Sequence, residues 1–250
     1  MEDFRRDPRT DFTPVSRLSR DAAKAEMAAL RDGIAHHDRK YYVENAPVVS
    51  DRVYDILFRR LQELEEAHPD LVTADSPTLR VGAPPLEYLP RAEHTVPLLS
   101  LQAVMEREEV AGFLDTVQRE AGDGPAFVCE PKFDGVSVEA VYEDGVFRTG
   151  ATRGDGYTGE DITANLRTVR SLPLRLSAEV RDLPGTLAVR GEVMFDDESF
   201  QAVNRARAEA GREPFANPRN AAAGLIRRLE PEAVAQAHLS IFFYDVLLVE

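Results

Sequence analysis

Apolar side chains recur three and four positions apart up to about residue 70, and at every second position in much of the chain after residue 126. Met27, Leu30, Ile34 and Tyr41 form one stripe at helical spacing, and Leu57, Leu61 and Leu64 form another. A serine with an acid close behind precedes each stripe: Ser19 with Asp21, and Ser50 with Asp51. That is the signature of a helix N-cap and its first turn. Pro47 breaks the chain between the stripes and His68-Pro69 ends the second, so the pattern predicts a helical hairpin over residues 19–70. Residues 1–18 lack periodicity and hold Pro8 and Pro14, which predicts a flexible tail.

Six prolines between residues 69 and 97 mark an irregular crossing into a second module, residues 71–250. A helix is expected over residues 107–120, closed by the Gly122-Asp-Gly124 turn. Phe127-Val128-Cys129 reads as a short strand ending at Pro131, with Cys129 inward. Val136, Val138, Ala140 and Tyr142 then alternate with their neighbours, and Asp144-Gly145 turns the chain into a return strand from Val146 to Thr152. A short helix over 161–170, a strand over 187–195, a helix over 198–209 and an apolar strand over 239–249 follow. The fold class is α+β: a helical hairpin, then a mostly antiparallel domain with inserted helices.

The 250 residues are 43% hydrophobic and 30% charged, a globular balance. No apolar run approaches the roughly 20 residues of a membrane helix. The first residues mix acids with arginines and lack the apolar stretch of a secretory signal, so a cytoplasmic location and no membrane partner are expected; a monomer is the further expectation. One cysteine excludes an internal disulfide and a Cys-based zinc cluster within the chain. The net charge of −14 sits mainly in residues 81–200, where 22 acids face 11 bases. Proteins that grip duplex DNA unaided carry a basic face, so weak or no DNA binding is expected of this chain alone.

Only three of the 30 basic residues are lysines: Lys24, Lys40 and Lys132. A lysine amine can lose its proton and act as a nucleophile, whereas a guanidinium effectively never does. Lys132 lies in Glu130-Pro-Lys132-Phe-Asp134-Gly135, at the end of an expected strand. Two readings stand at this point, a desolvated nucleophile and a structural ion pair to Glu130 or Asp134. In the first module, Tyr41 and Tyr42 end one helix, and Asp51, Tyr54 and Asp55 open the next. Asp51 and Asp55, four apart, share a helix face. Aromatic faces with two carboxylates suit a pyridinium ring and a ribose diol; packing and capping is the plainer reading. Gly154-x-Gly-x-x-Gly159 matches a dinucleotide fingerprint, but the flanking pattern is a hairpin and loop rather than strand–turn–helix, which argues against a Rossmann-type oxidoreductase. Adjacent His36 and His37 point apart on a helix and are assigned to packing; His68, His94 and His238 receive no role.

Glu-x-Lys-x-Asp-Gly resembles the first motif of the covalent nucleotidyltransferases. With Ala151-Thr-Arg-Gly-Asp-Gly156, Val189-Arg-Gly-Glu-Val193 and Phe215-Ala-Asn-Pro-Arg-Asn-Ala-Ala-Ala-Gly224 following in order, residues 21–250 resemble the N-terminal part of the bacterial NAD+-dependent DNA ligases. The Tyr-Tyr…Asp-x-x-Tyr-Asp pattern resembles their module for nicotinamide mononucleotide (NMN). The resemblance implies an ATP-grasp-like adenylation domain in which Lys132 attacks the α-phosphorus of NAD+, releases NMN and retains AMP. Asp134 would orient lysine and nucleotide, and Glu130, Glu192 and Gly135 would border the adenosine, with Glu192 at the ribose. Arg153 would meet ribose or phosphate, Ser100 and Leu101 would line the pocket, and Arg219 and Arg227 would lie near phosphates or the nicked strand. Mg2+ would assist, with no protein metal ligands assigned. Ala103 departs from the family, which places an asparagine there. The resemblance further implies that the domain is incomplete at its C-terminal end. Two lysine-bearing motifs would be missing, together with the zinc-binding and other parts that hold nicked duplex DNA. A fragment that binds NAD+ or NMN without transferring AMP is the alternative.

Overall fold

The computed structural model describes residues 3–44, 46–80, 87–100, 104, 106–122, 124–177 and 185–250. The hairpin forms as its caps predict. Helix α1 runs Arg20–Tyr42, with Ser19 Oγ accepting from the Ala22 amide at 3.2 Å. Helix α2 runs Asp51–Ala67, with Ser50 Oγ accepting from the Val53 amide at 3.4 Å. Met27, Leu30 and Ile34 meet Leu57, Leu61 and Leu64 in a buried core, while Tyr41 stays exposed.

The segment expected as a flexible tail is instead packed from residue 3. Phe4 is buried against Gly33, its carbonyl lies 2.9 Å from His37 Nε2, and Phe12, Val15 and Leu18 border the same core. The contact is possible because Gly33 lacks a side chain: a Cβ there would come within 2.5 Å of Phe4 Cβ. His37 thus packs, as expected for the His36-His37 pair. Arg60 joins this region internally, donating from Nε to Glu26 Oε1 at 2.7 Å and from Nη2 to the Thr13 carbonyl at 2.7 Å.

Strand β1, Arg91–Glu93, follows, and then α3, Arg107–Ala121, closed at Gly122. The sequence predicts a strand at 127–129, but those residues adopt no strand and Cys129 is exposed rather than inward. A strand persists only beside a partner, and among the described residues nothing pairs with this one. The β-hairpin is as expected: β2, Val136–Glu143, pairs antiparallel with β3, Val146–Thr152, through a turn with positive φ at Asp144 and Gly145. β4, Thr158–Glu160, pairs with β1; α4, Thr163–Thr168, follows. Next come β5, Thr186–Met194; α5, Asp197–Glu209; α6, Pro218–Ile226; α7, Pro231–Ala235; and β6, Ser240–Val249.

The main sheet has strand order β3-β2-β5-β6, antiparallel throughout. One face is closed by Leu166 of α4, Ala222, Leu225 and Ile226 of α6, and Val234 of α7, packed on Val136, Val138, Ala140, Val193 and Ile241. The opposite face carries the polar members of the alternation and lines a cavity.

Buried arginine joins the two modules. Arg80 donates to the carbonyls of Arg167, Val169 and Leu172 at 2.9–3.1 Å, and its Nε lies 3.7 Å from Asp38 Oδ2. Asp38 Oδ1 accepts from the Tyr54 hydroxyl at 2.8 Å, and that hydroxyl accepts from Arg170 Nη1 at 3.0 Å. Burial raises the Asp38 carboxyl above its usual range, against the pull of Arg80 and Arg170.

Candidate functional site

The open face of the main sheet borders a cavity of about 900 Å3. Its floor follows from strand register. Ser137 of β2 sits opposite Glu192 of β5, and Glu139 opposite Arg190, so these four side chains share a face. Phe242 and Tyr244 of β6 add an aromatic wall, with Phe133 stacked at a tilt on Phe242 at 4.7 Å between centroids. Loop residues 130–135 and the turn at Arg153 and Gly154 form the rim, and Arg219 and Arg227 of α6 and its end approach from the side.

Eight residues singled out in the sequence line this one cavity: Ser100, Glu130, Lys132, Gly135, Arg153, Glu192, Arg219 and Arg227. Arg153 Nη1 donates to Ser100 Oγ at 3.1 Å. Glu192 Oε1 accepts from the Gly135 amide at 3.2 Å, tying the motif loop to β5. Burial raises the Glu192 carboxyl; the Gly135 N–H and the charges of Lys132, Arg219 and Arg190 pull the other way. Lys132 is exposed at the cavity and leaves no strand end, so the expected desolvation is not present in this state. Asp134 accepts an ion pair from Arg219 at 3.2 Å, and Arg227 Nε pairs with Glu160 Oε2 at 2.7 Å. Neither expected partner of Lys132, Glu130 or Asp134, forms a salt bridge with it among the described residues. Leu101 and Ala103 lie outside the described residues.

The second constellation stays separate. Tyr41 and Tyr42 sit together, 4.7 Å between ring centroids, exposed at the end of α1. Asp51 and Asp55 are exposed at the start of α2. None of these, nor Tyr54, lines the cavity. Tyr54 is engaged with Asp38 and Arg170; burial and the neighbouring Asp38 raise its hydroxyl far above the usual tyrosine value, so it remains a donor. The Arg170 guanidinium lies over the Tyr42 ring at 5.8 Å.

Arg190, Ser137, Phe242 and Tyr244 went unflagged in the sequence. Arg190 donates to Ser137 Oγ at 3.1 Å and to the Leu99 carbonyl at 2.9 Å, and stands over the Tyr244 ring. Its place inside Val189-Arg-Gly-Glu-Val193 was the available signal. The Gly154–Gly159 string runs from β3 through a turn into β4, not into a helix, and the sheet beside it is antiparallel. The geometry a dinucleotide fingerprint requires is therefore absent there.

The cavity has room for a nucleotide and is bordered by Lys132, by Arg153, Arg190, Arg219 and Arg227, and by the Glu192 carboxylate on its floor. Comparison with known proteins agrees along nearly the whole chain. Residues 87–250 match the profile of the NAD-dependent DNA ligase adenylation domain. Residues 20–82 match that of the DNA ligase-like, N-terminal NAD+-binding domain. Curated relatives named DNA ligase include those of Haloferax volcanii, 48% identical over 98% of this chain, and Haloarcula marismortui, 50% identical over 96%. That of Salinibacter ruber is 47% identical over 96%. The chain spans 34–36% of the length of these relatives. With both profiles matched in succession and the motif residues gathered at one cavity, the chain belongs to the NAD-dependent DNA ligase family.

Proposed function

We propose that the cavity around Lys132 takes AMP from NAD+ and holds it covalently, and that the α1–α2 hairpin receives the NMN half. The observation that carries this is the convergence of Lys132, Arg153, Glu192, Arg219 and Arg227 on a single cavity large enough for a nucleotide. The Lys132 Nζ lone pair attacks the α-phosphorus of NAD+. A P–N bond forms as the bond to the bridging oxygen breaks, NMN leaves with that oxygen, and the amine gives up a proton. Phosphoryl-type transfer depends on positioning and on neutralising charge. Arg153 and Arg219 supply cations beside the phosphate, and Glu192 accepts from a ribose hydroxyl. Asp134, held by Arg219, lies in the same loop as Lys132.

Tyr41, Tyr42, Asp51, Tyr54 and Asp55 are assigned to NMN. The planar Arg170 cation over the Tyr42 ring supports this reading, since a pyridinium is a planar cation of similar demand. No group of three carboxylate, histidine or cysteine side chains among the described residues would hold a metal ion. Mg2+ is therefore assigned to the nucleotide phosphates and no step is derived through it. In a longer polypeptide of the relatives' length, the lysine-bound AMP would serve the sealing of nicked duplex DNA. No helix of the described residues is long and apolar enough to cross a membrane.

The test is the intact mass of the chain after incubation with NAD+ and Mg2+, with Lys132→Ala beside it. An AMP-sized gain in the parent and none in the variant is expected. Binding of NAD+ without any gain would leave a binding fragment and overturn the transfer step.

A further inference from the structure

His94 carries no recognisable motif, and the Gly154–Gly159 string contributes no dinucleotide fold. The structure joins the two. His94 and Glu139 side chains are only 1% and 3% exposed. His94 Nδ1 lies 2.7 Å from Glu139 Oε2, and its Nε2 lies 3.0 Å from the Arg153 carbonyl oxygen. A carbonyl only accepts, so Nε2 carries a proton and donates to it. Glu139 Oε1 accepts from the Thr95 amide at 3.1 Å and from the Thr95 hydroxyl. A carboxylate this deep persists only when paired, and the partners found for it come from residues 94 and 95.

The main chain repeats the connection. The His94 amide donates to the Tyr157 carbonyl at 3.0 Å, and the Leu98 amide to the Gly156 carbonyl at 2.8 Å. The Arg153 carbonyl also accepts from the Gly156 amide at 2.9 Å, which closes the turn. Gly159 packs so tightly that a Cβ would sit 1.7 Å from the Thr152 oxygen and 3.3 Å from His94 Nε2. The Arg153 backbone is thus held from two directions, while its guanidinium reaches the cavity and donates to Ser100 Oγ.

We propose that His94, itself oriented by Glu139, is a positioning residue for nucleotide binding: it pins the Arg153 carbonyl and thereby fixes where the Arg153 guanidinium meets the nucleotide. An apolar ring of similar size would fill the space but take the histidine partner from Glu139 Oε2 and leave the Arg153 carbonyl with the Gly156 amide alone. The proposal rests on the reading of the cavity as an adenylate site, and the test separates the two.

AMP binding to the full 250-residue chain is measured by ligand-observed NMR for the parent, His94→Ala, His94→Gln, Arg153→Ala and the His94→Ala/Arg153→Ala double variant. Arg153→Ala is expected to weaken AMP about tenfold or more, the size of one charge-assisted hydrogen bond. His94→Ala is expected to lose a similar factor, and the double variant no more than Arg153→Ala alone, because one residue acts through the other. His94→Gln is expected to recover part of the affinity, since its amide nitrogen stands near the place of Nε2 and can donate to the Arg153 carbonyl oxygen. Amide hydrogen exchange at Gly156 is expected to speed up in His94→Ala and to hold in Arg153→Ala. Losses that multiply in the double variant, or unchanged exchange at Gly156, would overturn the positioning role while AMP binding by the parent upheld the adenylate reading. A parent that does not bind AMP overturns the adenylate reading, and the proposal with it.

Discussion

Gly135→Ala is expected to weaken nucleotide binding by about 100-fold, the upper end for one lost charge-assisted hydrogen bond. A Cβ at this position would lie 2.2 Å from the Val193 carbonyl oxygen and 3.1 Å from Glu192 Cγ. The nearer atom is backbone in a paired strand, so no side-chain rotation relieves the overlap. Relief requires β2 to separate from β5 where Val136 pairs with Val193, and it breaks the Gly135 amide bond to Glu192. Lys132 and Glu192, the two ends of the proposed chemistry, are displaced together. Gly112→Ala is the control. Nothing lies within 4 Å of its added Cβ, and alanine is the better helix former. AMP titration and thermal unfolding of both variants check the prediction, which fails if Gly135→Ala binds AMP as the parent does.

Arg60→Ala is expected to destabilise the hairpin module by about 3–5 kcal/mol, the cost of stripping one partner from a buried ion pair. The Arg60 side chain is 3% exposed and its Glu26 partner 9%. It also binds the Thr13 carbonyl and lies over the Phe12 ring at 4.9 Å, so it holds the N-terminal segment onto the helices. Removing it strands the Glu26 carboxylate and releases that segment at once. Against a typical total of about 5–15 kcal/mol, the loss would be plain in the denaturation midpoint. The double change Glu26→Leu with Arg60→Met is expected to recover much of it, because no charge is left buried. A midpoint for Arg60→Ala equal to the parent's would contradict this account of the packing.

The elements most legible in the sequence were those whose causes are local. Ser19 and Ser50 cap their helices through bonds that span three residues, and the Asp144-Gly145 turn needs only its own positive φ values. The packed N-terminal segment was illegible because its reason lies far along the chain: Phe4 fits only since residue 33 is glycine. The strand expected at 127–129 failed for the converse reason, a correct apolar pattern with no neighbour to pair with. Within the site, most residues inside contiguous motif strings were found, Arg190 excepted, and those outside any string were not. Ser137 and Arg190 share the floor with Glu192 because β2 and β5 pair as they do. Phe242 and Tyr244 reach it only through the pairing of β6 with β5. Asp38, Arg80 and Arg170, the seam between modules, come from three separate stretches of the chain and announce themselves in none of them.

The most direct test of the central claim is the location and chemistry of the bound AMP. After treatment with NAD+ and Mg2+, the chain is digested and the AMP-bearing peptide sequenced by mass spectrometry, with and without brief acid exposure. AMP on Lys132 through an acid-labile P–N bond, with NMN released in equal amount, is the predicted result. AMP on Lys24, Lys40 or a carboxylate, or NAD+ held in the cavity with no AMP transferred, would contradict it.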